Sequence, residues 1–176
     1  TGYTKTTLSG IEFTNGTGTI EQNIIYGIKS IHYSIGYGIY LPGGSVNVMN
    51  NTIRLGLGYS LRNPLLGILS GGGNRILGNA VYIMGNPTEG NDVFMTFAYC
   101  ILGSGTDEVK NNNFVNLRTF QSYAHHYAIG KSTSSTLESD YNNLYVADDA
   151  ALVNLDTDET YMYNLSSYSL AEWQTN

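Results

Sequence analysis

The chain has few charged residues and a single cysteine, and both shortages exclude classes of function. Only 12% of its 176 residues are charged, and its formal net charge at pH 7 is −6. We therefore expect no nucleic-acid partner, because phosphate binding needs clustered Lys and Arg. With Cys100 as its one cysteine, the chain cannot form an internal disulfide. No apolar run is long enough to span a membrane.

The sequence also lacks helical periodicity and the common catalytic motifs. No window of about a dozen residues keeps an apolar period of 3.6, and 21 glycines would interrupt most helices. The apolar segments are rich in Ile, Val, Tyr and Thr, which favours strands. One exception is residues 169–173, where Ser169 is placed to cap a turn of helix. No phosphate-binding loop, Ser-His-Asp series or zinc-ligand spacing is present.

What the chain does contain is a motif, apolar-x-x-Asn-x-apolar, that recurs at nearly constant spacing. Its asparagines are 28, 28, 33 and 30 residues apart, a period typical of a solenoid of stacked coils. An amide at the same bend of every coil can pass hydrogen bonds along the stack, although surface turn residues are the alternative interpretation. We predict a structural ladder formed by Asn23, Asn51, Asn79, Asn112 and Asn142.

A second series, a small residue followed by an apolar one, keeps step with the first. Each coil is therefore predicted to contain at least two short strands, joined by Gly-rich turns such as 42–45 and 70–73. The two series predict an all-β parallel β-helix solenoid of about five to six coils. They place one domain over 1–176, with coils over about 8–155 and a C-terminal edge segment over 156–176. The members of the second series are Gly10-Ile11, Gly38-Ile39, Gly67-Ile68, Cys100-Ile101 and Ala128-Ile129.

The Asn-x-apolar motifs and Gly-rich turns resemble those of right-handed parallel β-helices of the pectate-lyase-like superfold, over about residues 8–155. The segment 168–175 is similar to one that follows the last coil in many secreted, multi-domain β-helix proteins of Bacteroidota-like bacteria. This resemblance implies a right-handed coil and an extracellular or cell-surface location. It does not define an activity, because the superfold hosts lyases, hydrolases, adhesins and phage tailspikes. No N-terminal cap is recognisable, so we expect a piece of a longer exported protein.

Alignment on the asparagines places five charged residues on one outward face: Arg75, Glu108, Lys110, Glu138 and Asp140. The plainest interpretation is an ion-pair ladder in which Arg75 faces Glu108 and Lys110 faces Asp140. A second is a Ca²⁺ site between the stacked Glu108 and Glu138. A third is acid–base catalysis on an acidic polysaccharide, with Lys110 as base and the carboxylates holding a metal. Glycoside hydrolysis would instead need two carboxylates at a defined separation.

A second outward face follows the asparagine ladder. One residue past each inward apolar position stand Tyr26, Arg54, Tyr82, Val115 and Tyr145, and a second row begins at Ile28. A contiguous apolar surface usually marks an interface, so these side chains are candidates for stacking on sugar rings or contacting a protein or another copy. The alternative is that Gly27, Gly56 and Gly85 mark bends that turn some of these side chains inward.

Two smaller features of the sequence are further candidate sites. The long third interval contains Glu89 and Asp92, which could reach a cation or a sugar, although an exposed hairpin is the simpler interpretation. The adjacent His125 and His126 should face opposite sides of a strand and so cannot share one metal. We expect a half-buried, hydrogen-bonded histidine there.

These features favour a non-catalytic structural or adhesive rod of a secreted or cell-surface protein, presenting a glycan- or protein-binding surface. No cofactor is expected apart from an optional Ca²⁺. The alternatives are a carbohydrate-active module, a polysaccharide lyase or glycosidase acting at the charged face, and a self-assembling extracellular filament subunit. The few basic residues count against cleavage of a polyanion, whose carboxylates need compensating charge.

Overall fold

The computed structural model describes residues 7–28, 34–56, 64–85, 94–119, 124–147, 152–155 and 165–168. Over these ranges the chain is all-β, contains no helix and forms a parallel β-solenoid, which confirms the predicted fold class. The cap at Ser169, the loop with Glu89 and Asp92, and most of the segment 156–176 lie outside the described residues.

The strands recur in groups of three. In chain order they are β1 (Thr7–Glu12), β2 (Thr17–Glu21), β3 (Ile24–Tyr26), β4 (Ile35–Leu41), β5 (Ser45–Met49), β6 (Thr52–Leu55), β7 (Leu65–Ser70), β8 (Arg75–Leu77), β9 (Ala80–Ile83), β10 (Phe94–Ile101), β11 (Thr106–Lys110), β12 (Asn113–Asn116), β13 (Ala124–Ser132), β14 (Thr136–Asp140), β15 (Asn143–Val146), β16 (Leu152–Leu155) and β17 (Leu165–Tyr168).

Each group forms one rung of the stack and gives one strand to each of three sheets. Sheet A has the order β1-β4-β7-β10-β13-β16-β17, sheet B β2-β5-β8-β11-β14, and sheet C β3-β6-β9-β12-β15. All neighbours pair in parallel except β17, which pairs antiparallel with β16. Five strands in sheets B and C correspond to about four turns, so the prediction of five to six coils was wrong in number. The five asparagine motifs mark five rungs, and five rungs enclose only four intervals.

The predicted asparagine ladder is present along the whole stack. Asn51 Oδ1 accepts hydrogen bonds from the backbone N–H of Asn23 at 3.0 Å and from its Nδ2 at 2.9 Å, and the same pair of contacts repeats up to Asn142. The Nδ2 of Asn79 also donates to Val48 O of the preceding rung at 2.9 Å. The three central asparagines are buried, which excludes the surface-turn interpretation for them.

A left-handed bend precedes every ladder asparagine and connects sheet B to sheet C. The residues there have φ between 53° and 66°, a region that L side chains seldom adopt. This explains the doubled Asn50-Asn51 and Asn111-Asn112, because asparagine tolerates that conformation and can also occupy the ladder. The bend residues are Gln22, Asn50, Gly78, Asn111 and Tyr141.

The second series lies in sheet A, where its small residue faces the interior. A Cβ on Gly38 would lie 2.5 Å from both Gly67 O and Ile53 Cγ2. The fourth member was predicted wrongly. Tyr99 pairs with Ile68 and Ile129, so the small residue of rung 4 is Ala98.

The central strands of sheet A, β4, β7 and β10, are buried on both faces. The inner face joins the main core, whereas the opposite face carries a second cluster, which the sequence analysis did not predict. Phe97 and Tyr127 stack there at 5.4 Å between ring centroids, and Cys100 is fully buried among them. Burial raises the pKa of the Cys100 thiol. The residues of this second cluster are Tyr37, Leu66, Leu69, Met95, Phe97, Cys100 and Tyr127.

Candidate functional site

The charged face predicted from the sequence lies on sheet B. Glu108 pairs in register with Arg75 on one side and Glu138 on the other, and Lys110 lies opposite Asp140. The five residues are therefore brought together as the alignment indicated.

The ion pairs within this face centre on Glu108. Arg75 Nε lies 2.6 Å from Glu108 Oε2, and Lys110 Nζ lies 3.0 Å from Glu108 Oε1. The predicted pairing of Arg75 with Glu108 is present, but the ammonium of Lys110 contacts Glu108 instead of Asp140. The reason is local, because Lys110 and Glu108 are two residues apart and point from the same face of one strand.

The electrostatics of the charged face do not suit a catalytic base. Hydrogen bonds from Arg75 and then Lys110 lower the pKa of Glu108. The hydrogen bond to Glu108 raises the pKa of Lys110. Lys110 is therefore held in its protonated form, whereas a general base works best with a pKa near the working pH.

A Ca²⁺ site at Glu108 and Glu138 also lacks support from this geometry. Both carboxylate oxygens of Glu108 are already engaged by cationic side chains. Among the described residues, no group of three or more His, Cys, Asp or Glu side chains comes together as a metal site would require.

The outer face of sheet C presents the predicted tyrosines to solvent. Tyr26 and Tyr145 are 71% and 52% exposed, while their inward neighbour Ile25 is buried. Strand alternation is therefore kept as far as Tyr26 and Tyr145, so the alternative, in which bends turn some of these side chains inward, does not apply to these two tyrosines. We define the sheet C outer face by two register rows, Tyr26, Arg54, Tyr82, Val115, Tyr145 and Ile24, Thr52, Ala80, Asn113, Asn143.

The second predicted row does not form a contiguous surface. Gly27 adopts a φ of 73°, and Ile28 then turns inward and packs against the main core. The bend predicted at Gly27 is thus real, but it acts on the residue after it and leaves Tyr26 exposed.

Side-chain contacts order the centre of the sheet C outer face. The guanidinium carbon of Arg54 lies 5.8 Å from the ring centroid of Tyr82. Asn113 Nδ2 donates to the hydroxyl of Tyr82 at 2.9 Å, and Asn143 Nδ2 donates to Asn113 Oδ1 at 2.9 Å. The result is a polar and aromatic strip with the most exposed rings, Tyr26 and Tyr145, at its two ends.

A buried polar cluster at His126 was only partly anticipated. His126 Nε2 lies 3.1 Å from Thr119 O, and a carbonyl can only accept, so Nε2 carries the proton. In the neutral imidazole Nδ1 then accepts from the hydroxyl of Thr96 at 2.8 Å, and Asn116 Nδ2 donates to that hydroxyl at 2.9 Å. His126 is more buried than the half-buried side chain we expected.

Arg118 and Asp107 are further fully buried polar residues that the sequence analysis missed. Arg118 Nε donates to Met84 O at 3.3 Å, and burial lowers the pKa of Arg118 to about 10. Asp107 accepts from the backbone N–H of Asn74 at 2.7 Å and from the hydroxyl of Tyr99 at 2.6 Å. Burial, followed by the charge of Asp107, raises the pKa of Tyr99. Because Arg118 and Asp107 are enclosed, we assign them structural roles.

The described ranges contain no helix long and apolar enough to act as a transmembrane segment. In comparisons with known proteins, the chain matches no family model, no curated protein and no solved structure.

Proposed function

We propose that the protein is a non-catalytic structural or adhesive rod, and that it binds a glycan or protein through the sheet C outer face. The proposal includes a secreted or cell-surface location and a right-handed, pectate-lyase-like coil within a longer bacterial, multi-domain protein. The observation that carries the binding role is the pair of exposed tyrosines, Tyr26 and Tyr145, held on a regular sheet.

The rigidity of the scaffold supports a binding role. The asparagine ladder and the inward apolar columns fix the backbone beneath the sheet C outer face. A ring on such a strand loses little conformational freedom on binding, so more of the contact energy remains as affinity. Tyrosine suits an exposed recognition surface because its ring contributes apolar area while its hydroxyl stays hydrated.

Neither alternative has comparable support. For an enzyme, the charged face offers a carboxylate neutralised by Arg75 and Lys110 and a lysine kept protonated. For a filament built by end-to-end stacking, the antiparallel β17 interrupts the parallel pairing of sheet A beside β16.

A screen for binding and turnover tests the proposal. The wild-type chain is applied to a glycan array and to extracellular protein extracts, with and without Ca²⁺, and every glycan that binds is then incubated and assayed for cleavage. We expect binding without cleavage. Cleavage that disappears in Glu108→Gln/Glu138→Gln would instead establish the enzyme alternative.

The double variant Tyr26→Ser/Tyr145→Ser assigns the binding surface. We expect it to lose the ligand, while Tyr141→Ser retains it. Tyr141 is a matched control because it is 79% exposed and lies outside the sheet C outer face. Undiminished binding by the double variant would overturn the proposal.

A further inference from the structure

The tyrosines of the sheet C outer face recur on every second rung. Tyr26, Tyr82 and Tyr145 stand on rungs 1, 3 and 5 of one register row, with Arg54 and Val115 between them. Parallel strands lie about 4.8 Å apart, so successive tyrosines are separated by about 10 Å along the solenoid axis. The sheet therefore presents a row of rings with a fixed repeat.

This repeat fits an extended glycan chain. A pyranose linked through opposite ring positions is about as long as one rung spacing, and successive rings of an extended β-1,4-linked chain are turned over. Every second sugar then presents the same face. Tyr26 and Tyr145, on rungs 1 and 5, would meet equivalent faces of the first and fifth sugars, and tyrosine rings stack well on such apolar faces. Between them, the guanidinium of Arg54 lies over the ring of Tyr82 and would face the middle of the sugar chain.

The polar groups between the tyrosines are placed to contact the sugar edges. The amides of Asn113 and Asn143 use only part of their hydrogen-bonding capacity in the bonds that join them to each other and to Tyr82. Arg54 is the one charged residue in the two rows of the face, and the whole chain carries a net charge of −6. A polyuronate, with a carboxylate on every ring, would find a single compensating cation on this face and would leave most of its carboxylates unpaired.

We propose that the sheet C outer face binds a neutral, extended β-1,4-linked polysaccharide whose chain runs parallel to the solenoid axis. This inference rests on the proposed function and names the ligand class of the same surface. The span from Tyr26 to Tyr145 is about 19 Å, so a chain of about five sugars covers it.

Calorimetric titration with gluco-, manno- and xylo-oligosaccharides of two to six β-1,4-linked units tests the inference. We expect affinity for at least one series to rise with length until about five units and then to level off. Tyr26→Ser and Tyr145→Ser should each weaken binding of the five-unit chain by roughly two- to tenfold, the range for loss of one aromatic stack. Tyr141→Ser should bind as the wild type does, and maltopentaose and oligogalacturonate should bind weakly.

A relocated tyrosine tests the alternation itself. In Val115→Tyr/Tyr145→Ser the third ring moves to rung 4, where an extended chain presents the opposite sugar face. We expect this variant to bind no better than Tyr145→Ser alone. Restored affinity, or affinity independent of chain length, would overturn the inference.

The failures of the two proposals can be told apart. If the face binds a protein, a polyuronate or a short glycan through Tyr26 and Tyr145, the proposed function stands and this inference falls. If every ligand binds the double variant Tyr26→Ser/Tyr145→Ser as tightly as it binds the wild type, both proposals fall.

Discussion

At the scale of single residues, the bend before each ladder asparagine sets the geometry of the fold. The left-handed residue turns the chain from sheet B to sheet C and lets the following amide point into the stack. Glycine or asparagine suits this position, whereas Tyr141 at φ 53° carries a bulky side chain in the same conformation. Tyr141 is also mostly exposed, so little packing opposes its replacement.

Tyr141→Asn should stabilise the protein. We expect the free energy of unfolding to rise by about 0.5–1 kcal/mol, because asparagine adopts the left-handed region more readily. Urea denaturation measures the change, with Tyr141→Phe as a control that keeps the aromatic ring. A loss of stability in Tyr141→Asn would mean that the tyrosine makes a contact that outweighs its backbone strain.

The position of an asparagine in the ladder should determine how much it stabilises the fold. Asn79→Ala removes the acceptor for the buried N–H of Asn51 and a donor to Val48 O, so we expect a loss of about 2–4 kcal/mol. Asn23→Ala should cost about 1 kcal/mol or less, because Asn23 is half-buried and its side-chain oxygen accepts no hydrogen bond from a described residue, while its side-chain amide donates to Asn51. Equal losses in denaturation experiments would contradict a directional ladder.

At the scale of strands, the small residues of sheet A show how closely its backbone approaches sheet C. The interior beside Gly38 has no room for a methyl group, because Ile53 and the backbone of Gly67 occupy that space. Ala98 and Ala128 occupy the same column in rungs 4 and 5, where the interior admits a methyl. The backbone therefore follows the same course in every rung, but the space between sheets A and C at this column is larger in rungs 4 and 5.

Gly38→Ala should therefore be destabilising. We expect a loss of about 1–3 kcal/mol from overpacking. Gly18→Ala is a matched control in strand β2, because its Cβ would meet Phe13 at an ordinary 3.4 Å, and its stability should stay close to that of the wild type. Thermal and chemical denaturation compare the two variants. Similar stabilities would show that the two sheets can separate at little cost.

The ion pairs at Glu108, one with Arg75 of strand β8 and one with Lys110 of its own strand β11, predict a pH dependence. The pKa of Glu108 is lower in the folded protein, because Arg75 and Lys110 stabilise its charged form. The stability that ionised Glu108 contributes to the folded protein is thus fully present at neutral pH, above the pKa of the unfolded state. It disappears as the pH falls through the lowered pKa of the folded state. Glu108→Gln should have a slightly lower melting temperature than the wild type at pH 7 and the same one in strong acid. A difference that persists in acid would indicate a packing effect.

At the scale of the whole molecule, repeated features were predictable and single ones were not. The ladder asparagines, the columns of sheet B and the outward tyrosines all recur in successive coils, so the sequence revealed them. His126 occupies its column once. Asp107 shares its column only with Asn74 of the neighbouring rung, which accepts the equivalent backbone N–H bond from Val46, so no repeat along the whole stack marks either residue. Cys100-Ile101 has the small-apolar pattern but lies two residues after the pair that is in register, Ala98-Tyr99. The buried outer face of sheet A did have a signal, because the unbroken apolar run around Leu65–Ser70 is typical of strands covered on both faces.

The molecule as a whole presents two different outward surfaces on one stack. The charged face of sheet B is internally compensated at Glu108, whereas the sheet C outer face carries exposed rings over a fixed backbone. This contrast underlies the proposed role, since the cations of the first surface are engaged by Glu108, whereas the second surface has aromatic area available for a ligand.

Tyrosine-ring NMR of the ¹³C-labelled protein, titrated with the tightest-binding ligand from the screen, compares the two surfaces in one experiment. Tyr26 and Tyr145 report on sheet C, and Tyr141, next to Asp140, reports on the charged face. The account predicts large shifts at Tyr26 and Tyr145 and none at Tyr141. Shifts confined to Tyr141 would contradict it and place the ligand on sheet B.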